Sequence, residues 1–156
     1  MKFHGRTQER KLIHKLLKSD SMAVIMIYGR RRVGKSELIK QVLRESDIRS
    51  IYYECKQTTE KNNVDCLSEL LSEAYGFPKP SFSGIEELLQ FLFKKAGEEK
   101  LILVLDEYPY LRDAVAGLDS IVQSIIDHNR DHSGIKFILC GSFIDTMKSL
   151  LDSGNP

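Results

Sequence analysis

Ala23-Val24-Ile25-Met26-Ile27-Tyr28-Gly29-Arg30-Arg31-Arg32-Val33-Gly34-Lys35-Ser36 is an unbroken apolar run that opens into a glycine-bounded, arginine-rich octet. Apolar without alternation, its first six residues read as a strand buried on both faces of a parallel sheet. Leu38, Ile39, Val42 and Leu43 follow at helical spacing, so strand, glycine loop and helix come in that order. Gly29 to Ser36 spells GxxxxGKS in the context where the pattern has a mechanism. Glycines at both ends let the backbone curl until successive N–H groups point inward at phosphate oxygens, and the helix starting at Lys35 adds its positive dipole end. On this reading Gly29, Arg30, Arg31, Arg32, Val33, Gly34, Lys35 and Ser36 cradle phosphates. Lys35 reaches the β and γ positions, and the Ser36 hydroxyl is offered to Mg²⁺.

Leu12, Ile13, Leu16 and Leu17 mark one face of a preceding helix that ends near Ser19-Asp20-Ser21. Ile48 to Glu54 reads as a second strand, and Val64, Leu67, Leu70, Leu71 and Ala74 as a helix halted by Gly76-Phe77-Pro78. Ser83 and Glu86 fit a capping box for a helix bearing Ile85, Leu88, Leu89 and Leu92. Leu101 to Leu105 is a third buried strand, Leu118, Ile121, Val122, Ile125 and Ile126 form a helical stripe, and Ile135 to Cys140 is a fourth strand. Ser142 is placed to cap a last helix carrying Phe143, Met147, Leu150 and Leu151. Strands separated by helices throughout require right-handed crossovers, hence an α/β three-layer α/β/α sandwich on a mostly parallel sheet.

In such a sheet the strand ends that follow the glycine loop share one edge, and that edge collects the chemistry. Leu101 to Leu105 runs straight into Asp106-Glu107. Asp106 is placed to hold Mg²⁺ through water. Glu107 is then the group to orient and deprotonate an attacking water, since phosphoryl transfer asks the protein for positioning and charge compensation. Cys140-Gly141-Ser142 brings a hydroxyl to the same edge, within reach of a γ-phosphate or the water, and Ser142 serves equally as a helix N-cap. Arg30, Arg31 and Arg32 with Lys35 would suit a nucleic-acid patch in isolation, but inside this loop nucleotide phosphates are the simpler target. His128 and His132 stand four apart without the Glu that a zinc-protease helix needs, and they receive no role.

Bulk properties set the outer bounds. The 156 residues suit one domain, and the 42% hydrophobic and 29% charged content is that of an ordinary globular chain. Lys plus Arg at 23 against Asp plus Glu at 22 gives +1, too even for a protein that grips nucleic acid by phosphate neutralisation. Cys55, Cys66 and Cys140 support neither a disulfide framework nor a zinc site, and they read as reduced thiols in the cytoplasm. The apolar runs are far short of a membrane span, so no membrane partner is expected.

With the opening Phe3-His4-Gly5-Arg6-Thr7-Gln8-Glu9, similar to an FxGRxxE signature, these motifs resemble the archaeal-type ATPase family, in the signal-transduction branch of P-loop ATPases related to the AAA group. Asp106-Glu107-Tyr108-Pro109-Tyr110-Leu111 and Gly141-Ser142 extend the likeness over nearly the whole chain. The resemblance implies ATP as ligand, Gly5 and Arg6 beside its base and sugar, and the strand order 5-1-4-3-2. Residues 1–156 would then be the ATPase core, cut short before the family's fifth strand and helical lid. Two consequences are expected: the first strand lies at an exposed sheet edge that invites self-association, and any nucleic-acid contact belongs to a missing C-terminal part.

The expected function is Mg²⁺-dependent hydrolysis of ATP to ADP and phosphate that drives a conformational switch, with Lys35, Glu107 and Ser142 in the catalytic roles and Ser36 and Asp106 at the metal. The competing reading is a nucleotide-dependent protein-interaction switch with little or no turnover. A small-molecule kinase is disfavoured, because no arginine-rich lid segment follows the fourth strand.

Overall fold

The computed structural model describes residues 6–28 and 34–141. Its elements run α1 (Arg6–Lys18), β1 (Ala23–Tyr28), α2 (Lys35–Glu45), β2 (Arg49–Glu54), α3 (Glu60–Tyr75), α4 (Ile85–Glu98), β3 (Leu101–Asp106), α5 (Tyr108–Ala114), α6 (Leu118–Asn129) and β4 (Lys136–Gly141). The four strands form one parallel sheet in the order β1-β4-β3-β2. Alternate strand residues go to opposite layers, as the two-residue period of a strand dictates. Ile102 and Val104 of β3, with Ile138 and Cys140 of β4, pack against Ile13 and Leu17 of α1 and Leu38, Ile39 and Val42 of α2. Leu101, Leu103 and Leu105, with Phe137 and Leu139, meet the apolar faces of α3, α4, α5 and α6. The molecule is therefore the expected three-layer α/β/α sandwich, and its strand order is the 1-4-3-2 portion of the family arrangement.

Three local expectations are corrected. β1 is not buried on both faces: Ile25 and Ile27 are covered by α1 and α2, whereas Val24 is 38% exposed. The reason is its place at the edge among the described residues, where only β4 flanks it. The capping box at Ser83 and Glu86 does not form. Gly84 is the N-cap of α4, Glu87 reaches back to the Ser83 N–H at 3.2 Å, and Glu60 of α3 accepts from the Ile85 N–H at 3.0 Å. Finally, a short helix, α5, follows β3 directly. Seven residues with Pro109 in the first turn carry too little periodicity to announce a helix, although proline there is compatible with one. The helix expected after Ser142 lies outside the described residues.

At the end of the sheet away from the glycine loop, Lys136 is fully buried at the start of β4. Its ammonium donates to the carbonyls of Ser19 and Ser21 and to the Ser19 hydroxyl, tying the α1 to β1 turn beneath the sheet. Lys136→Met removes these bonds and leaves the carbonyls of a tight turn short of their donor, so it is expected to cost about 1–3 kcal/mol in urea unfolding. Burial, then the neighbouring Lys100, holds the Lys136 ammonium below its ordinary 10.5. Between that lowered value and 10.5 the unfolded chain binds more protons than the folded one, so this lysine's contribution to stability rises with pH. The gap between wild type and Lys136→Met should widen accordingly on the alkaline side. A gap that stays constant or narrows would refute this account.

Candidate functional site

The chain leaves the glycine loop through Gly34, whose φ of 75° and ψ of 22° lie in the left-handed region that glycine enters without steric cost. Gly34 caps α2, its carbonyl accepts from the Leu38 N–H at 3.0 Å, and Lys35 and Ser36 form the first turn. Ser36 thereby faces the end of β3, seventy residues on. Its hydroxyl donates to Asp106 Oδ2 at 2.6 Å. The other carboxylate oxygen, Oδ1, accepts from the Glu107 N–H at 2.8 Å. Asp106 is 1% exposed, so this carboxylate is held by named donors in place of bulk water.

Glu107 has a φ of 52°, and among the described residues it is the sole non-glycine with positive φ. The left-handed turn breaks β3 and starts α5. It also places Glu107 Oε1 3.7 Å from Lys35 Nζ, with both side chains nearly inaccessible. Behind it, α5 is pinned to α6 through Asp119, which accepts from the Tyr108 hydroxyl at 3.0 Å and pairs with Arg112 at 2.7 Å. The Cys55 N–H donates to the Asp106 carbonyl at 2.8 Å, fixing the chain beyond β2 to the end of β3.

One neighbour escaped the sequence reading. Tyr52 of β2 donates its phenolic hydrogen to Asp106 Oδ2. Burial first, then the Asp106 carboxylate, holds this phenol well above the usual tyrosine range. Burial similarly raises the Cys140 thiol, with Asp106 as the next cause, which makes Cys140 a packed, inert group under the site. No motif marks Tyr52. The available signal is its strand position, directly across from Val104 and on the same face as Asp106.

Of the residues singled out in the sequence, Lys35, Ser36, Asp106 and Glu107 meet at one sheet edge, with Gly34 leading in and the backbone of Arg6 opening α1. Gly5, Gly29, Arg30, Arg31, Arg32, Val33 and Ser142 lie outside the described residues. His128 is exposed and bonded to the Ser124 carbonyl of its own helix. Among the described residues no group of three or more His, Cys, Asp or Glu converges as a metal site. The Ser36 hydroxyl and Asp106 carboxylate are hard oxygen donors of the sort Mg²⁺ takes when phosphates and water complete its shell, so the residues present fit that ion. No helix among the described residues is long and apolar enough to cross a membrane.

A family described as the ATPase domain predominantly from Archaea matches residues 3–154. The chain belongs to that family. This ATPase domain is 28% identical over 145 residues to an uncharacterised protein of Methanocaldococcus jannaschii, covering 93% of the chain and 30% of the relative. Among solved structures it resembles the Walker-type ATPase PABY2304 of Pyrococcus abyssi, with a TM-score of 0.68 at 21% identity over 94% of this chain and 47% of that one. It also resembles the ORC2 protein of Aeropyrum pernix, solved as ADPNP and ADP complexes, with a TM-score of 0.64 at 19% identity over 97% of this chain and 43% of the other. Likeness at these identities establishes the P-loop ATPase fold. The chain spans about a third of the curated relative and less than half of the two solved structures.

Proposed function

We propose that residues 1–156 act as one ATPase core that binds ATP with Mg²⁺, hydrolyses it to ADP and phosphate, and changes conformation in doing so. The observation that carries this reading is the 2.6 Å hydrogen bond from Ser36 to Asp106, which joins the glycine-loop helix to the acidic strand end. That bond commits the Ser36 hydrogen and leaves its lone pairs for a hard cation. Ser36 and, through water, Asp106 would hold Mg²⁺, which when bound compensates charge on the β and γ phosphates. Gly29 to Gly34 supply backbone N–H groups, and Lys35 contacts the β and γ oxygens. Gly5 and Arg6 border the base and sugar.

Before nucleotide arrives, the Lys35 ammonium is balanced by Glu107 at 3.7 Å. A γ-phosphate presents a stronger anionic partner, so its arrival draws Lys35 away and turns the carboxylate toward a water. Glu107 then takes the proton of that water as the new phosphorus–oxygen bond forms and ADP departs, with Ser142 helping to position the water. The site so ordered is the switch. Drawing on the ATP pool, such a protein works in the cytoplasm.

Calorimetric titration with a slowly hydrolysed ATP analogue, with and without Mg²⁺, tests the site, and a GTP analogue in parallel tests base choice. Mg²⁺-assisted binding with ATP preferred is the expected result; a folded sample that binds neither nucleotide would remove the reading. At the other side of the sheet, β1 has β4 as its strand neighbour among the described residues, and Val24 stands exposed. With no second strand neighbour among the described residues, this edge would pair with another copy of the chain. Light scattering of the chain should therefore show mass rising with concentration, and a constant monomer mass over the series would reject the pairing.

A further inference from the structure

We propose that Tyr52 is a positioning residue for the metal site, setting how strongly Mg²⁺ assists nucleotide binding by holding Asp106 in register with Ser36. The inference rests on the ATP-site reading above and adds to it a residue that no motif includes.

The geometry is cooperative across the sheet. Tyr52 pairs with Val104, and Asp106 lies two residues further along β3 on the same face. Two residues of strand advance about 6.6 Å, close to the reach of a tyrosine from Cα to hydroxyl. The phenol therefore spans the gap lengthwise and ends on Oδ2. α2 closes over it: Ser36 meets the same oxygen at 2.6 Å, and one turn later the Lys40 ammonium lies 5.3 Å from the Tyr52 ring centre. Helix and strand thus fix one phenol between them.

An ionised carboxylate oxygen offers two in-plane lone pairs. On Oδ2 both are engaged, by Ser36 and Tyr52, while Oδ1 holds the Glu107 N–H. Three donors, from α2, β2 and the turn after β3, fix the plane of the Asp106 carboxylate. With the phenolic donor removed, one donor remains on each oxygen, so the carboxylate plane and the acceptor direction offered to the Ser36 hydrogen are set less narrowly. The Ser36 lone pairs then cease to point in one direction, which matters for a cation that demands near-ideal octahedral geometry. Nucleotide binding without the cation does not use this alignment.

The test is Tyr52→Phe, which keeps the ring and its contact with Lys40 and removes the hydroxyl alone. Affinity for the slowly hydrolysed ATP analogue is measured with Mg²⁺ and with chelator, in wild type, Tyr52→Phe, Asp106→Asn and the double variant, each checked for folding by circular dichroism. The expected result is a Mg²⁺ enhancement reduced about tenfold in Tyr52→Phe, unchanged affinity in chelator, and no further loss when Tyr52→Phe is added to Asp106→Asn. An enhancement equal to or greater than wild type overturns the proposal, as does an equal loss in both arms or the same loss on the Asp106→Asn background. Absence of nucleotide binding in wild type itself would instead strike the ATP-site reading, and this inference with it.

Discussion

Glu107→Gln is expected to lower ATP turnover by roughly 10²- to 10⁴-fold while leaving analogue affinity within a few-fold of wild type. The substitution is nearly isosteric, so it keeps the left-handed turn at position 107 and the packing of α5, and it removes the capacity to accept a proton. Its effect falls on the chemical step because in the proposed scheme Glu107 contacts the water and not the nucleotide. Steady-state phosphate release and calorimetry on the same preparation separate the two quantities. Turnover unchanged by the substitution would transfer the base to another group and favour the interaction-switch reading, in which the nucleotide-ordered state matters and hydrolysis is incidental. A parallel loss of affinity would place Glu107 in ground-state binding.

Lys35→Ala is expected to weaken Mg²⁺-analogue binding by about 100-fold, the scale of one or two charge-assisted hydrogen bonds to phosphate lost from a buried site. The side chain is 1% exposed, so solvent supplies no substitute cation without rearrangement. The same change deprives the buried Glu107 carboxylate of the ammonium 3.7 Å away, and loss of one partner from a buried pair costs about 3 kcal/mol or more. Lower thermal stability of the nucleotide-free protein should therefore accompany the lost binding. Lys35→Met, which fills the same volume, distinguishes charge from packing: equal effects from both variants assign the loss to charge. Full analogue affinity in a folded Lys35→Ala protein would mean that phosphate is held elsewhere.

How much of this was legible in the sequence depends on the range over which each feature is determined. β1 and α2 were readable because the apolar run and the 3.6-residue period are local. The acid pair at 106 and 107 was readable because a buried strand that ends in two carboxylates has few innocent explanations once the loop is in place. Half-burial of β1 was not readable from its own residues, whose unbroken apolar run suggests two buried faces; the edge position came from the family resemblance, and its effect on burial was not drawn from it. Lys136 looks like any lysine at the start of a strand; its burial requires the Ser19 to Ser21 turn to fold beneath it. Tyr52 is the sharpest case. Its contact with Asp106 depends on the register between β2 and β3, and register is settled by the packing of both layers. The positive φ of Glu107 is likewise invisible in a residue type that seldom adopts it.

The sheet order also sets a timetable. β1 emerges early from the ribosome, yet its partner β4 is the last described strand, and β2, the next to appear, lies at the opposite edge. At ordinary synthesis rates the chain between them takes roughly 5–20 s to make, during which the apolar Ala23–Tyr28 segment has no strand to join. The β3 and β2 pair can assemble first, and β1 joins the sheet only when β4 slides in between. A released chain ending before Lys136 would consequently hold β2 and β3 but leave β1 without the strand that joins it to them.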